Sequence, residues 1–136
     1  MKKELKEKML REAVLVKVNA YAPYSKFRVG ACIALKDGTL ITGVNIENAS
    51  YPCGICAERS ALSAVYSRGY KKKNIIAMAI SADSKDFISP CGMCRQVISE
   101  LVESNVTVYL MNSKDEVKEV KVRNLLPFAF ELKESK

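Results

Sequence analysis

Two short stretches carry the reactive side chains of this 136-residue chain: Cys56-Ala57-Glu58 and Pro90-Cys91-Gly92-Met93-Cys94. Thiolates are soft ligands, and proteins hold zinc with them in tetrahedral sites. Cys91 and Cys94 are three residues apart, so in a first helical turn their sulfurs point to one side. Adding Cys56 makes three ligands and leaves the fourth zinc position open for water, the arrangement of a catalytic site. Glu58 stands two residues after Cys56, off the ligand direction of a helix. That places its carboxylate over the metal, where it can carry a proton from water to a substrate nitrogen. Taken alone, Glu58 reads first as a helix-start acid favoured by the dipole.

The same residues allow other arrangements. Cys53-Gly54-Ile55-Cys56 and Cys91-Gly92-Met93-Cys94 are both C-x-x-C, so spacing alone also supplies a four-cysteine structural zinc. Cys91 and Cys94 by themselves could be a buried thiol pair or a redox pair. The chain has no histidine, which removes the commonest metal ligand and the commonest general base together. Three thiolates also leave a zinc ion with net negative charge, which weakens it as a Lewis acid. Two helix N-termini would offset part of that charge. Arg59 and Arg95, each directly after a site residue, are placed to donate hydrogen bonds to the sulfurs, and Gln96 to orient a ligand.

The elements that must position these groups are readable from periodicity. Leu5, Met9, Ala13, Val16 and Ala20 recur at spacings of three and four, predicting an amphipathic helix that runs to about Tyr21-Ala22 and is stopped by Pro23. Residues 29–35 are an unbroken apolar run and read as a strand buried on both faces. Asp37-Gly38 marks a hairpin turn, with a returning strand over about 39–44. After Tyr51-Pro52, a helix is expected over 57–68, with Ala61, Ala64 and Val65 facing inward and Gly69 as its stop. A strand over 75–81, a helix over 91–102 and a strand over 106–111 imply a parallel, right-handed crossover. Val117, Val120 and Val122 predict an edge strand, and Leu125 to Phe130 an apolar segment near the tail. The sum is a single domain over 1–136: α/β class, a three-layer α/β/α sandwich around a mixed sheet of about five strands.

Composition is that of a soluble globular domain, with 49% apolar and 27% charged residues. No apolar run approaches the roughly 20 residues that span a bilayer. The opening MKKELKEKML has neither the apolar region nor the cleavage site of a signal peptide. A cytoplasmic location is therefore expected, with all five cysteines as thiols. The net charge is +7, but the lysines cluster at 2–8 and 71–73 without interleaved aromatics. They read as solvated surface, since single-strand binding needs stacking platforms too. The expected partner is a small molecule, with no membrane and no nucleic acid.

Metal ligand-x-Glu followed by Pro-Cys-x-x-Cys is the pattern of the zinc deaminases of nucleobases. Around it stand Tyr21-Ala-Pro-Tyr-Ser-Lys-Phe27, Gly43-Val-Asn45-Ile-Glu47-Asn48, Cys56-Ala-Glu58-Arg59 and the stretch Ser89 to Gln96. In these the chain resembles the small homotetrameric cytidine deaminases, from about Tyr21 to Phe130. The resemblance implies one zinc per subunit on Cys56, Cys91 and Cys94, with Glu58 as proton shuttle. It implies that Phe27 packs against the nucleoside, and that Asn45 and Glu47 bond the sugar 3′-hydroxyl, so that cytidine and deoxycytidine are both accepted. Ala57 would offer backbone contacts to the base, and Arg59 would balance thiolate charge. Tyr51 and Phe130 would complete pockets across subunit boundaries of a homotetramer. The implied reaction is hydrolysis to uridine or deoxyuridine and ammonia, in pyrimidine salvage. Cys53 and Phe128 depart from the family pattern; the first is implied to be an extra thiol, the second to alter tail packing. The rival readings are deamination of another cytosine nucleoside or nucleoside antibiotic, deamination within nucleic acid, and a non-enzymatic zinc module held by all four C-x-x-C cysteines.

Overall fold

A computed structural model describes residues 1–132. The elements are α1 (Lys3–Val16), β1 (Val29–Leu35), β2 (Leu40–Val44), α2 (Ala57–Ser67), β3 (Ile75–Ala82), α3 (Gly92–Leu101), β4 (Thr107–Met111), β5 (Val117–Lys121) and α4 (Val122–Leu125). The five strands form one sheet in the order β2-β1-β3-β4-β5. The β3–β4 pair is parallel, and the other three pairs are antiparallel. The parallel pair is the one joined through α3, as a crossover connection requires.

The continuous apolar run of β1 has a direct physical cause. Its alternate residues serve two layers. Ala31, Ile33 and Leu35 enter a core with α2 and α3, including Leu62, Val65 and Ile98. Cys32 and Ala34 enter a second core with Met9 and Ala13 of α1. The sheet is thus the middle layer, with α1 on one face and α2 and α3 on the other. Cys32 is fully buried there, and burial pushes its thiol up to about 12, so it stays protonated and outside the chemistry.

Two glycines set how closely the outer layers approach. A Cβ on Gly30 would lie 2.2 Å from the Ala13 carbonyl oxygen of α1. A Cβ on Gly43 would lie 2.4 Å from the Ala61 nitrogen and 2.7 Å from the Ala57 oxygen of α2. Both are backbone clashes that no rotamer relieves. Gly43 therefore fixes the seat of the helix whose first turn carries Glu58.

The structure departs from expectation at both ends. The first helix stops at Val16 and tightens into a 3-10 turn, Lys17–Asn19, well before Pro23. Tyr21 is instead drawn into pairing with the segment after β2. Its N–H donates to the Asn45 oxygen at 3.0 Å, and its carbonyl accepts from the Glu47 N–H at 2.8 Å. Those bonds would be lost if the helix ran on. Val122 is not part of the edge strand; it opens α4 and is buried. The apolar tail segment is split, since Leu125 is buried while Phe128 and Phe130 are exposed.

Gly43→Ala is expected to lower stability by about 1–3 kcal/mol, the usual cost of overpacking a filled contact. Denaturant unfolding of variant and wild type measures it.

Candidate metal centre and active site

Two helix starts meet on the α2/α3 face of the sheet. Cys56 is the N-cap of α2, and Cys91 is the N-cap of α3. Cys94 follows in the first turn of α3 and is fully buried. The three sulfurs lie within 4.8 Å of one another, and Cys56 and Cys91 are 3.8 Å apart. Tetrahedral zinc with bonds of about 2.3 Å needs ligand sulfurs about 3.8 Å apart. The donor set therefore fits zinc: soft thiols, the right separation, and two helix dipoles directed at the charge.

Proton affinities within the cluster point the same way. The adjacent Cys94 thiol, helped by Arg59 and Cys91, pulls Cys56 well below the usual thiol range against the effect of burial. The same contact, with burial and the Glu58 charge, pushes Cys94 up. One thiolate in the cluster thus suppresses another. Only a dication makes three thiolates together favourable, so metal binding must release protons.

Glu58 lies in the first turn of α2 and is 5% exposed. Burial raises its carboxyl to about 7, offset in part by its own backbone N–H and reinforced by the Cys56 charge. It lines a cavity of about 240 Å³ with Phe27, Asn45, Cys56, Ala57 and Cys91. Val29, Ile80, Ala82 and Ile88 extend its apolar wall. The pocket sits at the carboxyl end of β3, where crevices beside parallel strands commonly bind ligands. A carboxyl, two metal-type sulfurs and an aromatic face so enter one small apolar space.

A second cavity of about 450 Å³ shares Asn45 and Cys56 with the first and adds Glu47, Tyr51 and Arg59. Glu47 is held by the Tyr24 and Ser25 N–H groups at 3.0 and 3.1 Å, and by the Ser25 hydroxyl. Those bonds, the Ser25 hydroxyl first, keep its carboxyl below the usual range and hence ionised. Asn45 donates to the Phe27 oxygen at 2.8 Å and accepts from the Val29 N–H at 2.9 Å. Its amide therefore positions the Phe27 wall and has one N–H left for a ligand.

Several expected contacts are corrected. Arg59 does reach the cluster, with Nη2 4.0 Å from the Cys56 sulfur. Arg95 does not. It donates to the Pro90 oxygen at 2.7 Å, the Leu125 oxygen at 2.6 Å and the Ser89 hydroxyl. It thus locks the turn that presents Cys91 and ties it to α4. Gln96 donates to the Phe130 carbonyl at 3.1 Å and orients the tail, not a metal ligand. Cys53 is exposed, with its sulfur 3.5 Å from the Ser50 hydroxyl, and stands outside the three-sulfur group. Tyr51 is 81% exposed at the cavity rim. Phe130 is 67% exposed and lines a different hollow with Ser99 and Glu100, so one chain does not bring it to the site. Ser25, in the loop motif before Phe27, carries a role its sequence position does not reveal: its hydroxyl bonds Glu47 and accepts from the Phe27 N–H at 3.0 Å.

Comparison with known proteins places this geometry. Residues 3–110 match the family described as "Cytidine and deoxycytidylate deaminase zinc-binding region". The cytidine deaminase of Halalkalibacterium halodurans is 46% identical over 125 residues, covering 92% of this chain and 93% of that protein. That of Sporosarcina psychrophila is 44% identical over 124 residues, covering 91% and 90%. The crystal structure of cytidine deaminase from Burkholderia pseudomallei superposes with a TM-score of 0.89 at 38% identity, covering 96% of this chain and all of that one.

Elemental analysis after zinc loading is expected to find one zinc per chain in wild type and in Cys53→Ala, and none in Cys91→Ala. Loss of zinc in Cys53→Ala would restore the four-cysteine arrangement.

Proposed function

The chain belongs to the cytidine and deoxycytidylate deaminase zinc-binding family, and we propose that it hydrolyses cytidine and deoxycytidine to uridine and deoxyuridine with release of ammonia. The observation that carries this reading is the buried Glu58 in one small cavity with Cys56, Cys91 and the Phe27 ring. Cys56, Cys91 and Cys94 would hold the zinc. When bound, the metal would polarise a water molecule for addition to C4 of the cytosine ring at neutral pH.

The protein's own groups do the rest. Phe27 and the aliphatic walls Val29, Ile80 and Ala82 take the flat base and exclude bulk water. The backbone at Ala57 lies along the same wall and can bond the base edge. Glu58 takes one proton from the attacking water and gives it to N3; it then takes the remaining proton of the hydroxyl added at C4 and delivers it to the amino group, as the C4–N bond breaks and the C4 carbonyl forms. The balance is one water consumed and one ammonia released per base. Asn45 and the ionised Glu47 sit where the cavities join, suited to a sugar hydroxyl. A 3′-hydroxyl contact does not distinguish ribose from deoxyribose, which supports both substrates. These sugar-binding groups favour an ordinary nucleoside over a nucleoside antibiotic.

The same reading makes the active form a homotetramer in the cytoplasm that serves pyrimidine salvage. Its support is the exposure of Tyr51 at the cavity rim and of Phe128 and Phe130 in the tail. Large exposed aromatics of this kind are characteristic of a face covered by another chain. A neighbouring Phe130 or Tyr51 would close what one chain leaves open.

Glu58→Gln is expected to keep its zinc and lose at least about 100-fold in turnover of cytidine, the scale of a lost acid–base group. Loss of cytosine absorbance follows it, and full activity in the variant would remove the shuttle role. Sedimentation velocity is expected to give four chains of 15.1 kDa in one particle; a monomer with full activity would contradict closure between subunits.

A further inference from the structure

Asp83 is the first residue after β3, next to Ala82 of the base cavity. Its carboxylate binds two cations from two other segments. Lys17 Nζ donates to Oδ1 at 3.1 Å, and Arg28 Nε donates to Oδ2 at 2.8 Å. Its backbone N–H also donates to the Arg28 oxygen at 3.1 Å. Lys17 is 8% exposed, and its stem passes over Gly30, in space that any side chain there would fill. An ammonium so placed needs a partner. Burial alone would lift the Asp83 carboxyl, but the bonds from Arg28 and Lys17 outweigh it and hold the group below the usual carboxylate range.

The residue clamped in this way lies between two that line the nucleoside pocket. Arg28 separates Phe27 and Val29, both on the 240 Å³ cavity. On its other flank, this wall is held by Asn45 through the Phe27 oxygen and the Val29 N–H. The carboxylate of Asp83 thus anchors the wall from the α1 side of the sheet, while Asn45 anchors it from the pocket side. We propose that Asp83 is a positioning residue for the substrate: by holding Lys17 and Arg28 together it fixes the Phe27–Val29 wall against the end of β3. The inference rests on the nucleoside-deaminase reading of that pocket. Asp83 does not line the cavity, and its carboxylate is taken up by Lys17 and Arg28, so its effect falls on substrate binding and not on the chemical step.

The test uses the zinc-loaded protein and two variants, Asp83→Asn and Arg28→Met. The second keeps the half-buried Lys17–Asp83 pair, and the Arg28 side chain is 47% exposed, so its loss leaves the core intact. Each variant is expected to raise KM for cytidine about tenfold with kcat within about twofold, the signature of binding lost without loss of transition-state chemistry. Zinc content is expected to stay at the wild-type level. Amide exchange at residues 27–29 and 83 is expected to speed up about tenfold while the central strands keep their protection, the mark of a local opening. Wild-type KM and wild-type exchange at residues 27–29 would overturn the proposal, as would a fall in kcat at constant KM. Should Asp83→Asn fail to fold, Arg28→Met decides by the same two readings. Should the wild type leave cytidine unchanged, the deaminase reading fails, and the exchange rates still decide whether the clamp holds the wall.

Discussion

Three thiols from two helices, drawn from positions 35 residues apart, meet within 4.8 Å. Sulfurs that close resist joint ionisation, and the opposed shifts of Cys56 and Cys94 express that resistance. A dication resolves it, and the two helix N-termini lower the cost further. The remaining architecture serves this convergence. The α2 and α3 helices must lie on one face of the sheet with their starts at the same end. Gly43 lets α2 seat directly on β2, and the parallel β3–β4 pair returns α3 across the same face. Arg95 commits its guanidinium to the Pro90 turn and to α4, which fixes the direction from which Cys91 approaches.

Most of this order was legible in the chain. The strands over 29–35 and 75–82 show as apolar runs because both faces of the sheet are covered, so their buried character survives in composition. The helix starts show because Cys56 and Cys91 follow turn-forming residues, and Gly69, with a φ of 91°, ends α2 as a left-handed residue does. The ligand triplet was legible as a spacing, yet spacing left Cys53 as an equal candidate. Only the turn of Tyr51–Cys53, which faces that thiol toward Ser50, separates it from the other three. The apolar periodicity runs past the end of α1 because the pairing of Tyr21 with Asn45 and Glu47 is tertiary, and no local signal encodes it. The direction of Arg95 is hidden for a related reason. A long side chain beside a ligand can turn toward sulfur or toward a free carbonyl, and the two choices share one sequence.

The two faces of the sheet divide the labour. On the α2/α3 side lie the sulfurs, Glu58 and the base cavity. On the α1 side, Lys17 and Asp83 secure the wall of that cavity from behind, through Arg28. Glu47 and Asn45 are similarly occupied, the first by Tyr24 and Ser25, the second by Phe27 and Val29. The two groups proposed to meet the sugar are thus already held in place by the backbone around them, which would limit the ordering required when a substrate binds.

Catalysis at this centre requires a zinc held by three sulfurs with one position free. X-ray absorption at the zinc edge of the loaded protein tests it most directly. Three sulfur ligands at about 2.3 Å and one lighter ligand at about 2.0 Å are expected. Four sulfurs at a single distance would bring Cys53 into the site, close the open position, and turn the metal centre from a catalytic one into a structural one.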